Sequence, residues 1–299
     1  GWYVIQGIFK DTQRKWCNLM GKIVAGIGTS HVPSIGVAYD KDEQKTDAWS
    51  PLFDAYIPVQ EWLSDIKPDV AIIAYNDHGC DFFFDKYPTF AIGAADEYSI
   101  GDEGFGKRPL AAVPGNSQFS WHLCEHLVYN EFDITICQEM RMEHGFLVPM
   151  NLCLPEMPDW PIAYVPLAVN VIQHPLPTAA RCYKLGQAIR QAVDAYNDNF
   201  KVAIFGTGGM SHQLSGERFG YLNSEFDEWF LDQIAGDPQE LIDMSHQTLM
   251  EKAGVEAVEL IMWLIMRGAM TLGVTELHRN YYAPMTTGMG LIALQDAVE

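Results

Sequence analysis

Positive charge is scarce in this chain. Its 299 residues carry 19 Lys+Arg against 39 Asp+Glu, a formal net charge of −20. Phosphate binding needs a basic face, so this balance argues against a nucleic-acid partner and against adsorption to an anionic membrane. An anionic substrate must be held by local groups, because the overall field will not steer it. Long apolar runs are also missing. No stretch reaches the roughly 18 uncharged apolar residues of a membrane span, and residues 1–19 lack the basic start and apolar core of a signal peptide. The six cysteines, Cys17, Cys80, Cys124, Cys137, Cys153 and Cys182, show no CxxC spacing and no regular framework. Buried free thiols in a reducing cytosol are therefore expected rather than disulfides, and with them a cytoplasmic location.

What is present is enough apolar material for a substantial core, with 48% hydrophobic and 12% aromatic residues. Period and punctuation alternate between strand and helix. Strands are expected at 23–28, 70–75, 90–92, 134–137, 162–165 and 202–205, and helices at 57–66, 117–130 and 178–197. The run VAIIAY at 70–75 is short, apolar and bounded by turn residues, as a buried central strand should be. The last third reads as mostly helical, at 224–234, 238–250 and 255–267. There is no internal repeat, low-complexity segment or linker. The simplest architecture is one α/β domain over 20–299, a mixed central sheet flanked by helices. Residues 1–19 read as an N-terminal extension outside the fold, because Met20-Gly21-Lys22-Ile23-Val24 resembles an ordinary start running into a first strand. In such sheets ligands collect beyond the carboxyl ends of the strands.

Four of the nine histidines fall a short way past expected strands: His31, His78, His144 and His212. His31 follows Gly28-Thr29-Ser30, small residues that let the backbone turn, and Pro33 fixes the exit; a lone loop histidine is equally an ordinary surface residue. His78 ends Tyr75-Asn76-Asp77-His78, a polar run poorly suited to a core, where Asn76 and Asp77 could set the imidazole tautomer. A hydrogen-bonded turn is the plainer reading. His212 follows three glycines in Gly206-Thr207-Gly208-Gly209-Met210-Ser211. That spacing matches neither a Walker loop nor a dinucleotide fingerprint, so a turn delivering a histidine into a pocket fits better. Glu259 sits in an apolar helical stretch, where an unpaired carboxylate costs several kcal/mol; a metal ion, a buried base or one wet helix face would resolve that. His144 reads locally as a surface turn that could enter the same pocket. His122 and His126, with Glu125, complete an HxxEH pattern short enough to arise by chance, and no third ligand accompanies them. His174, His246 and His278 have no motif around them. Two imidazoles and one carboxylate leave half of an octahedral metal open, which points to Fe(II) handling oxygen rather than to structural zinc. A further neutral histidine nearby can act as general base.

Together these pieces resemble the class III extradiol ring-cleaving dioxygenases, and among them the catalytic β subunits of protocatechuate 4,5-dioxygenases. The matching runs are Ser30-His31-Val32-Pro33, Tyr75-Asn76-Asp77-His78, Pro88-Thr89-Phe90-Ala91-Ile92-Gly93, Asp102-Glu103-Gly104, His144-Gly145, Gly206 through Gln213, and Val258-Glu259-Leu260 with Met262-Trp263-Leu264. The resemblance implies that His31, His78 and Glu259 bind Fe(II), that His212 takes a proton from a substrate hydroxyl, and that His144 sits beside the substrate. It implies cleavage of a catechol-type aromatic acid by O2, with protocatechuate as the first expectation. In protocatechuate enzymes a Ser-Asn pair goes with the substrate's carboxylate side. The corresponding stretch here is Pro284-Met285-Thr286-Thr287-Gly288, which brings gallate or a methylated gallate forward as the alternative, with Thr286 and Thr287 as substrate contacts. The family's small α subunit is not part of this sequence, so a separate partner chain or self-association is expected to cover the pocket. A zinc- or iron-dependent hydrolase and a non-catalytic metal-binding protein on the same scaffold are the competing readings.

Overall fold

A computed structural model describes residues 20–155, 159–196 and 199–297, so the expected extension at 1–19 lies outside the described residues. Eleven strands form two sheets among them. In chain order the larger sheet takes β1 (Lys22–Thr29), β2 (Val70–Tyr75), β3 (Phe90–Gly93), β6 (Thr135–Cys137), β8 (Ala163–Val169), β9 (Lys201–Thr207), β10 (Thr275–Tyr282) and β11 (Met289–Gln295). A small sheet is made by β4 (Glu97–Ile100), β5 (Val113–Pro114) and β7 (Arg141–Met142). The large sheet runs β10-β11-β1-β9-β2-β8-β3-β6. Its centre, β1-β9-β2-β8, is parallel throughout. β3 is antiparallel to β8, and β11 is antiparallel to both β1 and β10, which makes the sheet mixed.

The apolar runs of β2, β8 and β9 are buried along both faces, as parallel strands covered by helices must be. One face carries α1 (Pro33–Asp40), α2 (Ser50–Ile66) and α4 (His144–Cys153); the other carries α3 (Ser117–Tyr129), α5 (Ala179–Asp194), α6 (Ser224–Ala235), α7 (Gln239–Ile242), α8 (His246–Ala253) and α9 (Ile261–Ala269). Among the described residues no helix is long and apolar enough to cross a membrane. Cys80, Cys124, Cys153 and Cys182 are buried free thiols and Cys137 is a half-buried one; Cys17 lies outside the described residues.

Several expected elements differ in the structure. The helix expected at 57–66 begins at Ser50, because Pro51 suits a first turn and Pro58 is absorbed in the interior. The helix expected over 238–250 is two, since Ser245 accepts a hydrogen bond from Thr248 N and caps a fresh start. The mostly helical last third also holds β10 and β11, antiparallel strands that extend the sheet beyond β1. Strands β1, β2, β8 and β9 all end on the same side, and the chain leaving them builds the site.

Candidate active site

His31 leaves β1 and is buried. Its Nδ1 lies 3.0 Å from Oγ1 of Thr207, the last residue of β9. That hydroxyl gives its single proton to the Ala74 carbonyl at 2.9 Å, so it accepts from His31, and the imidazole proton sits on Nδ1. The Nε2 lone pair then faces Oε2 of Glu259 at 3.4 Å, buried and with no hydrogen-bond partner. Burial holds the His31 pKa below its ordinary value against the pull of Glu259.

His78 follows the end of β2. Its Nδ1 donates to Oε2 of Glu143 at 2.9 Å, while Asn76 Nδ2 lies 3.1 Å from Nε2. The same Nε2 faces Oε1 of Glu259 at 3.8 Å. Burial opposes a charge on this ring, but Glu143 and Glu259 outweigh it and lift the imidazole to about 10. The Asn76 amide meets Nε2 through Nδ2, while its Oδ1 has no hydrogen-bond partner.

Glu259 stands in a 3₁₀ turn, Glu256–Leu260, that leads into α9 in place of the continuous helix expected over 255–267. Gly209 N donates to its Oε2 at 2.7 Å. Gly208, at φ 128°, lies so close that a Cβ there would come within 2.6 Å of the Glu259 Cβ; only glycine allows that backbone and that approach. Burial opposes ionisation of Glu259, yet the imidazoles turned on it together hold its carboxyl well below the usual range. The ligand atoms of His31, His78 and Glu259 lie within 4.8 Å of one another. Two imidazole nitrogens turned on one carboxylate call for a cation between them. A nitrogen-nitrogen-oxygen donor set of this kind suits a divalent first-row metal with positions left open.

His212 is buried, with Nδ1 donating to its own segment's Met210 carbonyl at 2.7 Å. Its Nε2 is thereby left as a lone pair, 4.0 Å from Glu259 Oε2. Backbone bridging joins His212 to Thr287. His144 is not on a surface turn: it opens α4, lies tilted against His78 at 4.0 Å between ring centroids, and is buried. Its Nδ1 is held by Glu103 Oε1, with Glu143 Oε2 3.0 Å away. Burial lowers its pKa, but Glu143 outweighs that and the net shift is upward. All five groups, with Thr286 and Thr287, line one cavity of about 560 Å³.

Glu143, Thr207 and Glu103 orient these histidines, and sequence reasoning did not find them in that role. The carboxylate of Glu143 also caps α4 through Gly145 N at 2.9 Å, so a second cluster of His78, Glu143 and His144 is already tied up by hydrogen bonds. Asp77 does not support His78: its carboxylate accepts the backbone N–H groups of Gly79, Cys80, Asp81 and Phe82 and shapes the turn. His122 is tied to the Ala192 carbonyl at 2.7 Å, and no third ligand joins His126 among the described residues.

Residues 25–292 match the family described as the catalytic LigB subunit of aromatic ring-opening dioxygenase. The chain belongs to this family. Gallate dioxygenase of Pseudomonas putida is 44% identical over 197 residues, covering 66% of this chain and 58% of that protein. A 2,3-dihydroxyphenylpropionate/2,3-dihydroxicinnamic acid 1,2-dioxygenase of Photorhabdus laumondii is 29% identical over 202 residues, covering 68% and 60%. A protein of the same description from Pseudomonas putida is 26% identical, covering 86% of this LigB-family chain and 92% of its own length. The chain thus spans 58% and 60% of the length of the first two relatives. An uncharacterized protein from Escherichia coli K12 shares the fold, with a TM-score of 0.55 at 14% identity over 92% of this chain and 100% of that one.

Proposed function

We propose that this LigB-family chain carries the active site of an Fe(II)-dependent extradiol dioxygenase acting on a gallate-type aromatic acid. The observation that carries the reading is the pair of imidazole Nε2 atoms, on His31 and His78, turned on the buried carboxylate of Glu259. These three residues would hold the metal. Bound there, Fe(II) supplies a chelation point for the diol and lets electrons pass between substrate and dioxygen. The ring bond beside the diol is cut, and both oxygen atoms enter the ring-opened acid.

The chain's own groups manage protons and position. His212 keeps its proton on Nδ1, so Nε2 takes one from a substrate hydroxyl entering beside Glu259. His144, with Nδ1 held by Glu103 and its ring against His78, stands beside the substrate space as a second group able to pass protons there. Val171, Met285 and Met289 give the cavity apolar walls for the ring. Exposed Leu214 and Met285 at the cavity support a covering chain or second copy over the mouth.

Gallate takes the place of protocatechuate as the proposed substrate. The relative that is 44% identical is a gallate dioxygenase, and the stretch Pro284–Gly288 offers Thr286 and Thr287 rather than a Ser-Asn pair. Anaerobic Fe(II) loading followed by oxygen-uptake assays tests this. The expected result is equimolar oxygen uptake fastest with gallate, ahead of protocatechuate and 3-O-methylgallate. Iron binding with no uptake on any of them would mean a metal-binding protein without turnover.

A further inference from the structure

We propose that His174 is a specificity residue of this site, holding the carboxylate of the aromatic acid; the inference rests on the substrate reading given above. The four parallel strands at the centre of the sheet each hand a histidine to the same end: β1 gives His31, β9 His212, β2 His78, and β8 gives His174. The loop that carries it is pinned. Buried Asn170 accepts from the backbone of Ile172 at 3.2 Å and Gln173 at 2.9 Å, and donates to the Gln173 carbonyl at 2.6 Å. Val171 and Leu176 anchor its two sides in the core. His174 itself is exposed, lines the cavity, and gives no side-chain hydrogen bond to any described residue.

The argument for its ligand is one of charge. No lysine or arginine lines the cavity among the described residues, and Glu256 adds a second carboxylate to its wall. Arg218 reaches Met250 on that wall, but its guanidinium is taken by the Met250 and Glu251 carbonyls and lies 3.9 Å over the Tyr221 ring. Of the five cavity histidines, four are engaged: His31 with Thr207, His78 with Glu143, His144 with Glu103 and His212 with Met210. In a chain of net charge −20, an entering carboxylate needs a local partner. His174 is the cavity histidine left with a ring N–H free to donate to that carboxylate. Thr286 and Thr287 add neutral hydroxyls, whereas His174 distinguishes an acid from an uncharged phenol.

The test is anaerobic equilibrium binding of gallate and of its carboxylate-free analogue pyrogallol to the Fe(II)-loaded full chain. Wild type should prefer gallate by about 10- to 100-fold, the worth of a charge-assisted hydrogen bond. His174→Leu should abolish that preference and leave pyrogallol binding within about twofold, while His174→Lys keeps the preference. In steady state the loss should fall on KM for gallate rather than on kcat. His174→Glu, suited to the same exposed position, should bind gallate more weakly still, and it decides the matter if the leucine variant folds poorly. Wild type binding both ligands alike, or variants weakening both equally, would overturn the proposal. Absence of oxygen uptake with every diol, alongside an acid preference lost in the variants, would sink the dioxygenase reading and leave His174 in its role.

Discussion

At the scale of single residues, every histidine around the candidate metal centre has its Nδ1 held by an oxygen, and that leaves the Nε2 atoms to do chemistry. Thr207→Val should test this for His31. The substitution keeps the shape and removes the acceptor, so Fe(II) affinity should fall about 10- to 100-fold, read by chelator competition. His212→Ala should keep its iron and lose about 10²- to 10⁴-fold in kcat, since only a proton carrier is removed; unchanged turnover would retire the general-base role. His31, His78 and His212 were legible because each follows a strand through a turn too polar or too glycine-rich for core. Glu259 was legible because an acid amid apolar neighbours needs a partner. Glu143 and Thr207 were not, because a helix cap and a strand-ending threonine look ordinary until the fold brings them to a ring nitrogen. His144 was placed on a turn for want of a strong helix signal in His144–Cys153, whose interior holds Pro149.

At the scale of elements, Glu259 is aimed by α9, which packs tightly across α5. A Cβ on Gly186 of α5 would meet the Ile265 carbonyl of α9 at 2.1 Å, so Gly186→Val should destabilise the chain by more than the 1–3 kcal/mol typical of overpacking, about 3 kcal/mol or above. Arg267 of α9 is fully buried and satisfies the carbonyls of Ile234, Gly236, Thr271 and Leu272, tying α6 to the chain after α9. Arg267→Ala strands those acceptors and should cost about 3–4 kcal/mol in a denaturant titration. A loss below about 1 kcal/mol would mean that water replaces the guanidinium. The central strands were readable from apolar runs of four to eight residues between turn signals. The strands β10 and β11 were hidden by the helical stretches before them. β10 is a half-exposed edge without clean alternation, and β11 is buried along almost its whole length, so neither shows the period of an amphipathic strand.

At the scale of the whole molecule, a net charge of −20 on a chain of this size means self-repulsion. Raising KCl from about 20 to about 300 mM shortens the screening length severalfold and should raise Tm; a flat or falling Tm would show that local ion pairs, such as Arg108 with Asp40, govern instead. The same acidity concentrates at the candidate centre, where Glu103, Glu143 and Glu259 surround the histidines. A divalent cation there offsets charge that the fold otherwise leaves facing itself, so metal binding and stability should rise together. An anaerobic Fe(II) titration of wild type beside Glu259→Ala tests the account most directly. It predicts equimolar saturation of the wild type, and weakening in the variant beyond the roughly 10- to 100-fold that an outer hydrogen-bond partner commands. Equal iron affinity in the two chains would contradict it.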